Sequence, residues 1–160
     1  MLNPYIFMKK ILVFAATYFL VFNSVRAQQP SLKVKPTLNH IAMYVVDLKK
    51  STDFYQQIVQ LDTIPEPFHD GKHTWFSVGP LSHLHLIQGA KDYYAHEKNT
   101  HLCFTVPSVP DFIKVLEKNN IEYENWAGEK KQVTHRVDNV YQVYFKDPDG
   151  YWIEMNDAMR

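Results

Sequence analysis

Apolar and polar residues alternate over two short stretches that open in the same way. In Asn39-His40-Ile41-Ala42-Met43-Tyr44-Val45, Ile41, Met43 and Val45 share one face, and His40, Ala42 and Tyr44 share the other. Thr100-His101-Leu102-Cys103-Phe104-Thr105-Val106 repeats that arrangement, again with a histidine near the entrance. The first strand is predicted over residues 38–47. The period then changes from two to that of a helix. After Asp47-Leu48-Lys49-Lys50-Ser51, the residues Phe54, Tyr55, Ile58 and Val59 fall at helical spacing, which predicts a helix to residue 60. Short strands follow at 63–65, 73–78 and 83–87, with turns at Gly71 and Gly79-Pro80.

The second half runs in the same order. A polar linker, 89–99, leads to a strand at 100–106 and a helix at 109–119, with Phe112, Val115 and Leu116 on one side. Strands are predicted at 122–126, 141–146 and 151–156, and the charged segment 128–139 reads as a surface loop. Asp147-Pro148-Asp149-Gly150 is a turn, because proline fixes φ and glycine accepts positive φ. The order is βαβββ twice, module one over 38–90 and module two over 99–157, within one domain at 38–157. It predicts an α+β fold in which two half-sheets curve into one mixed sheet around a cleft, with helices outside.

The first residues do not fit that pattern. Lys9 and Lys10 precede an apolar run from Ile11 to Phe22, and Val25-Arg26-Ala27 closes it with small residues at two of its three places. This is the layout of a signal peptide over 1–27, with translation starting at Met1 or Met8. A run of 12 residues falls short of the roughly 20 that span a membrane. Residues 28–37, with Pro30 and Pro36, read as a linker. The reading makes the protein exported and periplasmic, with no stable membrane association after cleavage. Removal of 1–27 leaves 17 acidic against 14 basic residues, a balance that offers no electrostatic reason to bind nucleic acid. Cys103 is the only cysteine, so no internal disulfide forms.

The repeat places four polar residues at corresponding points. His40 and His101 lie on the first strand of each module, and His85 and Glu154 on the last. Leu84 and Leu86 flank His85, and Ile153 and Met155 flank Glu154, so both polar side chains take the face opposite the apolar ones. Three imidazoles and a carboxylate on the cleft face suit a divalent transition ion such as zinc, nickel, cobalt or iron, and not calcium. A histidine at a strand end is more often solvated or bonded to backbone, and His69, His73, His83, His96 and His135 are read that way. His83 shares the parity of His85. Tyr44, Trp75, Phe76, Trp126 and Tyr141 either line an apolar cleft or pack as ordinary aromatics. Lys130, Lys131 and Arg136 either meet an anionic substrate tail or stay solvated. Cys103 faces the cleft as a small packing residue.

The stretches from His40 to Ser51 with Asp53-Phe54-Tyr55, and from Asp147 to Glu154, resemble the vicinal oxygen chelate superfamily. That superfamily holds glyoxalase I, extradiol dioxygenases, fosfomycin-modifying thiol transferases and bleomycin-binding proteins. The resemblance covers about 38–157. It implies that His40, His101 and Glu154 fall on the common metal triad and that His85 falls on the fourth position, where glyoxalase I usually has glutamate. It implies a metal-dependent enzyme acting on a small molecule with two adjacent oxygens, the ion stabilising the enediolate as a Lewis acid. On this reading the reaction is that of lactoylglutathione lyase. Glu154 moves the proton, and His85 is either a fourth donor or a second acid–base group. Export argues against glutathione as the thiol. The alternatives are a dioxygenase using iron, a thiol transferase using manganese, and a protein that sequesters a drug or metabolite without chemistry. The cleft forms within one chain or across a homodimer.

Overall fold

Alternation over six residues is enough to make β1, His40–Val45, whose Met43 and Val45 are buried while Tyr44 faces water. The structure, a computed structural model, describes residues 34–158. The predicted signal peptide and the first part of the predicted linker lie outside them. Residues Leu38–Arg160 make up one compact unit.

After β1, Asp47 caps helix α1, Leu48–Gln57, by accepting from the Lys50 amide. Phe54 and Tyr55 bury its inner face. Three strands follow: β2, Thr63–Ile64; β3, His73–Ser77; and β4, His83–Gln88. Module two opens with β5, His101–Thr105. Helix α2, Val109–Lys118, follows, with Ser108 as its cap and Asp111 in its first turn. Then come β6, Tyr123–Glu124; β7, Thr134–His135; β8, Tyr141–Lys146; and β9, Trp152–Asn156. Strand β7 corrects the expectation of an irregular loop over 128–139. It is only two residues long, too short for any alternation to be read, and it forms by pairing with β8.

The strands make two sheets, in the orders β1-β4-β3-β2 and β5-β9-β8-β6, with β7 also on β8. In each sheet the first strand of the module pairs parallel with its last, and the remaining pairs are antiparallel. The two sheets are open, and β1 and β5 are edge strands. One apolar core serves both modules and includes Met43, Tyr55, Phe76, Leu86, Phe112, Leu116, Phe145 and Ile153. Phe145 meets Phe54 of α1 at 6.3 Å and Phe112 of α2 at 5.6 Å between ring centroids.

The turn between β8 and β9 ties the modules together. Asp149 accepts from the Val46 amide at 2.7 Å and from Ser51 Oγ at 2.5 Å. Asp147 accepts from Tyr55 Oη at 3.0 Å and from the amides of Asp149 and Tyr151. Both carboxylates are buried, and the donors around them replace water. Gly150 closes the turn at φ +89°, where a Cβ would stand 3.0 Å from the Tyr94 carbonyl oxygen.

Candidate metal centre

Register sets the face on which each polar side chain stands. In module two, Cys103, Glu154 and Tyr144 are direct neighbours across β5, β9 and β8. Their apolar neighbours Ile153, Met155, Val143 and Phe145 turn into the core, so this row takes the opposite face. Glu154 is 6 % exposed. Its Oε2 accepts from Tyr144 Oη at 2.6 Å, and its Oε1 accepts from Asn156 Nδ2 at 2.8 Å and Cys103 Sγ at 3.3 Å. Burial alone would raise its carboxyl. The three donors and neighbouring His101 outweigh burial and hold it below the usual carboxylate range. The same burial, then the carboxylate, push the Tyr144 phenol up and the Cys103 thiol to about 12. Cys103 is therefore a neutral donor at physiological pH.

His101 Nδ1 lies 2.8 Å from the Lys98 carbonyl oxygen and Nε2 lies 3.2 Å from Glu154 Oε2. A carbonyl only accepts, so Nδ1 carries a proton. In the neutral ring, Nε2 is then a lone pair facing an ionised carboxylate. Two acceptors at that distance require positive charge between them, either a proton or a cation. Transition ions hold nitrogen and oxygen ligands at roughly 2.0–2.2 Å, which leaves neighbouring ligands about 3 Å apart. The pair fits a metal. Lys98 also braces this end. Its ammonium holds Glu124 Oε1 and the carbonyls of Asn125 and Trp126, and it stands 5.1 Å from the Tyr144 ring centre.

In module one the matching row is Ala42, His85 and Trp75, across β1, β4 and β3. His85 is sandwiched between the rings of His40, at 4.3 Å and 9°, and Trp75, at 3.9 Å and 2°. Lost hydration, then the rings of His40, His83 and His73, lower the His85 imidazole to about 4, so it is neutral at pH 7. His85 Nε2 is buried with no hydrogen-bond partner, a free lone pair or N–H of the kind a metal ligand presents. His83 sits opposite His40 in the register and on the same face as His85, 6.0 Å from it.

The four predicted ligands thus form two pairs, His40 with His85 and His101 with Glu154. His40 and His101 stand on the edge strands of separate sheets. Among the described residues no group of three or more His, Cys, Asp or Glu side chains stands close enough to hold an ion.

The predicted pocket walls divide. Trp75 joins the histidine stack. Phe76 is wholly buried and packs as an ordinary core aromatic, as strand alternation requires, since Trp75 and Phe76 are neighbours and cannot share a face. Tyr44, Trp126 and Tyr141 are exposed, and Tyr141 stacks on His135. Lys130 pairs with Glu122, and Arg136 with Asp138. A surface hollow of about 530 Å³ between Glu117, Glu122, Lys130 and Lys131 contains none of the histidines and plays no part in the site. Tyr144, Asn156 and Lys98 are functional neighbours that the sequence pattern did not single out. The parity of β8 could have placed Tyr144 on the Glu154 face, but its partner depends on register.

A family profile described as Glyoxalase/Bleomycin resistance protein/Dioxygenase superfamily matches residues 37–155. A lactoylglutathione lyase from Pseudomonas putida is 26% identical, over 82% of this chain and 90% of its own length. A metallothiol transferase, FosB, from Staphylococcus saprophyticus is also 26% identical, over 75% of this chain and 76% of its own. Among solved structures, the fosfomycin resistance protein FosX from Listeria monocytogenes superposes with a TM-score of 0.62 at 21% identity, over 78% of this chain and 95% of its own.

Proposed function

The chain belongs to the glyoxalase/bleomycin resistance protein/dioxygenase superfamily, and from that premise we propose that it is a metal-dependent enzyme of the glyoxalase I type. It isomerises a small substrate with two adjacent oxygens. The observation that carries this reading is the 3.2 Å approach of His101 Nε2 to the ionised Glu154, with Nδ1 already committed to Lys98. His40, His85, His101 and Glu154 would hold a divalent transition ion. That ion, when bound, supplies Lewis-acid polarisation of the substrate oxygens.

The residues of this chain do the rest. Lys98 fixes the tautomer of His101, so that Nε2 faces the site. Tyr144 and Asn156 keep Glu154 ionised and oriented, which makes it the group that takes a proton from one substrate carbon and returns it to the next. His85 stays neutral and offers Nε2. Each module carries half of the ligand set, so the complete centre requires the two halves to meet. Pairing of two copies of the chain is the arrangement we favour. Export directed by residues 1–27 remains part of this proposal and sets the thiol available as co-substrate.

A transferase joining a thiol to an epoxide on the same ligands is the second reading. It is supported by the equal identity to the metallothiol transferase. Metal analysis of protein purified from metal-free buffer, with isomerase assays on the hemithioacetal of methylglyoxal and transferase assays on fosfomycin, separates the two. Near-stoichiometric metal in the wild type, lost in Glu154→Gln together with isomerisation, is the expected result. Turnover of fosfomycin alone would favour the second reading. A chain that takes up no metal would overturn both.

A further inference from the structure

The two modules carry equivalent rows of side chains, but the rows are not equally satisfied. In module two, Glu154 receives three hydrogen bonds from Tyr144, Asn156 and Cys103. In module one, His85 takes the place of Glu154 and Trp75 takes the place of Tyr144 in the register. There the indole lies flat on the imidazole, and both Trp75 Nε1 and His85 Nε2 are buried without a partner. His85 as a residue is 8 % exposed. Buried polar atoms are rarely left unmet, so two on adjoining rings mark a place where something outside the chain binds. An indole N–H donates and never accepts, so its missing partner is an acceptor.

Resting on the metal reading for His85, we propose that the Trp75 indole N–H receives an oxygen of the bound substrate, which makes Trp75 the residue that orients the substrate beside the ion. The ligand class is a small molecule carrying a carbonyl, hydroxyl or carboxylate oxygen next to its metal-binding oxygens. A donor-only group in a dry setting favours such an oxygen and leaves a methylene there unmet. Phe68, in the loop between β2 and β3, stands beside this position. Its ring stands edge-on to Trp75 at 6.0 Å and lies 4.6 Å from His73, yet it is 59 % exposed. A side chain facing water can swing away without disturbing the core, which gives the ligand its way in.

The test uses protein labelled with ¹⁵N-tryptophan, loaded with zinc and titrated with acetohydroxamate, a probe with two adjacent oxygens. The chain has three tryptophans, and Trp75→Phe identifies the Trp75 indole signal while keeping a ring on His85. The expected result is a downfield move of the Trp75 indole proton and slower exchange with water at saturation. Trp75→Phe is expected to bind the probe about tenfold more weakly, with zinc affinity unchanged. Phe68→Ala, at an exposed position, is expected to speed exchange of that proton in the free protein. A Trp75 signal that stays in place at saturating acetohydroxamate, as it would if only water satisfied it, overturns the proposal. So does equal probe affinity in Trp75→Phe. Zinc uptake with a silent Trp75 signal removes this inference alone, whereas failure to take up zinc removes the metal reading and this inference with it.

Discussion

Tyr144 and Glu154 stand directly opposite each other on antiparallel strands, and the phenol donates to the carboxylate at 2.6 Å. The bond joins a side chain with no other part in the chemistry to the group proposed to move the proton. Tyr144→Phe removes the donor and keeps the ring. Partners of this kind typically tune metal affinity by about 10–100-fold. Zinc titration calorimetry is expected to show a loss in that range. Unchanged affinity would make the tyrosine a packing residue.

The two ligand pairs differ in what they offer a metal. Glu154→Gln removes the negative charge at the His101 pair and is expected to abolish stoichiometric metal. His85→Ala removes the unpartnered nitrogen of module one and is expected to weaken binding without abolishing it. Elemental analysis of both variants checks the order. Metal lost equally in the two would give His85 the same weight as Glu154.

Asp147 gives the fold a pH dependence whose sign can be worked out. Burial, opposed by hydrogen bonds from the Tyr151 amide and Tyr55, raises its carboxyl from 3.8 to about 6. The folded state then holds this proton more tightly than the unfolded chain does. The contribution to stability is full below pH 3.8 and is lost as pH rises through about 6. Asp147→Asn removes it. The stability of wild type relative to Asp147→Asn is expected to rise by about 2 kcal/mol from pH 7.5 to 4.5, measured by urea unfolding at each pH. A constant difference would show that this carboxyl titrates normally.

Ser51 and Asp149 link the modules across 98 residues of chain. Ser51→Ala leaves one oxygen of a buried carboxylate without its donor, and the expected cost is about 1–3 kcal/mol. Chemical denaturation measures it. Because the Val46 amide still binds the other oxygen, the variant is expected to fold with the same ring stacking between His40 and His85. An unchanged midpoint would mean that water replaces the hydroxyl there.

The sequence by itself determined the order of the elements other than β7, the duplication and the faces on which His40, His85, His101 and Glu154 stand. These follow from local periodicity, because a strand alternates faces and a helix repeats every 3.6 residues. The span expected for α2, 109–119, matches Val109–Lys118, and the turn after β8 could be read from Pro148 and Gly150. Tertiary structure decided which side chains touch. Pairing with β8 created β7, which two residues could not announce. Register, which sequence does not encode locally, set Tyr144 against Glu154 and Trp75 against His85. Strand pairing put His40 and His101 on different sheets. Alternation gives the direction in which a side chain points. The distance between two side chains is fixed only when strands far apart in the chain are brought together by a shared core.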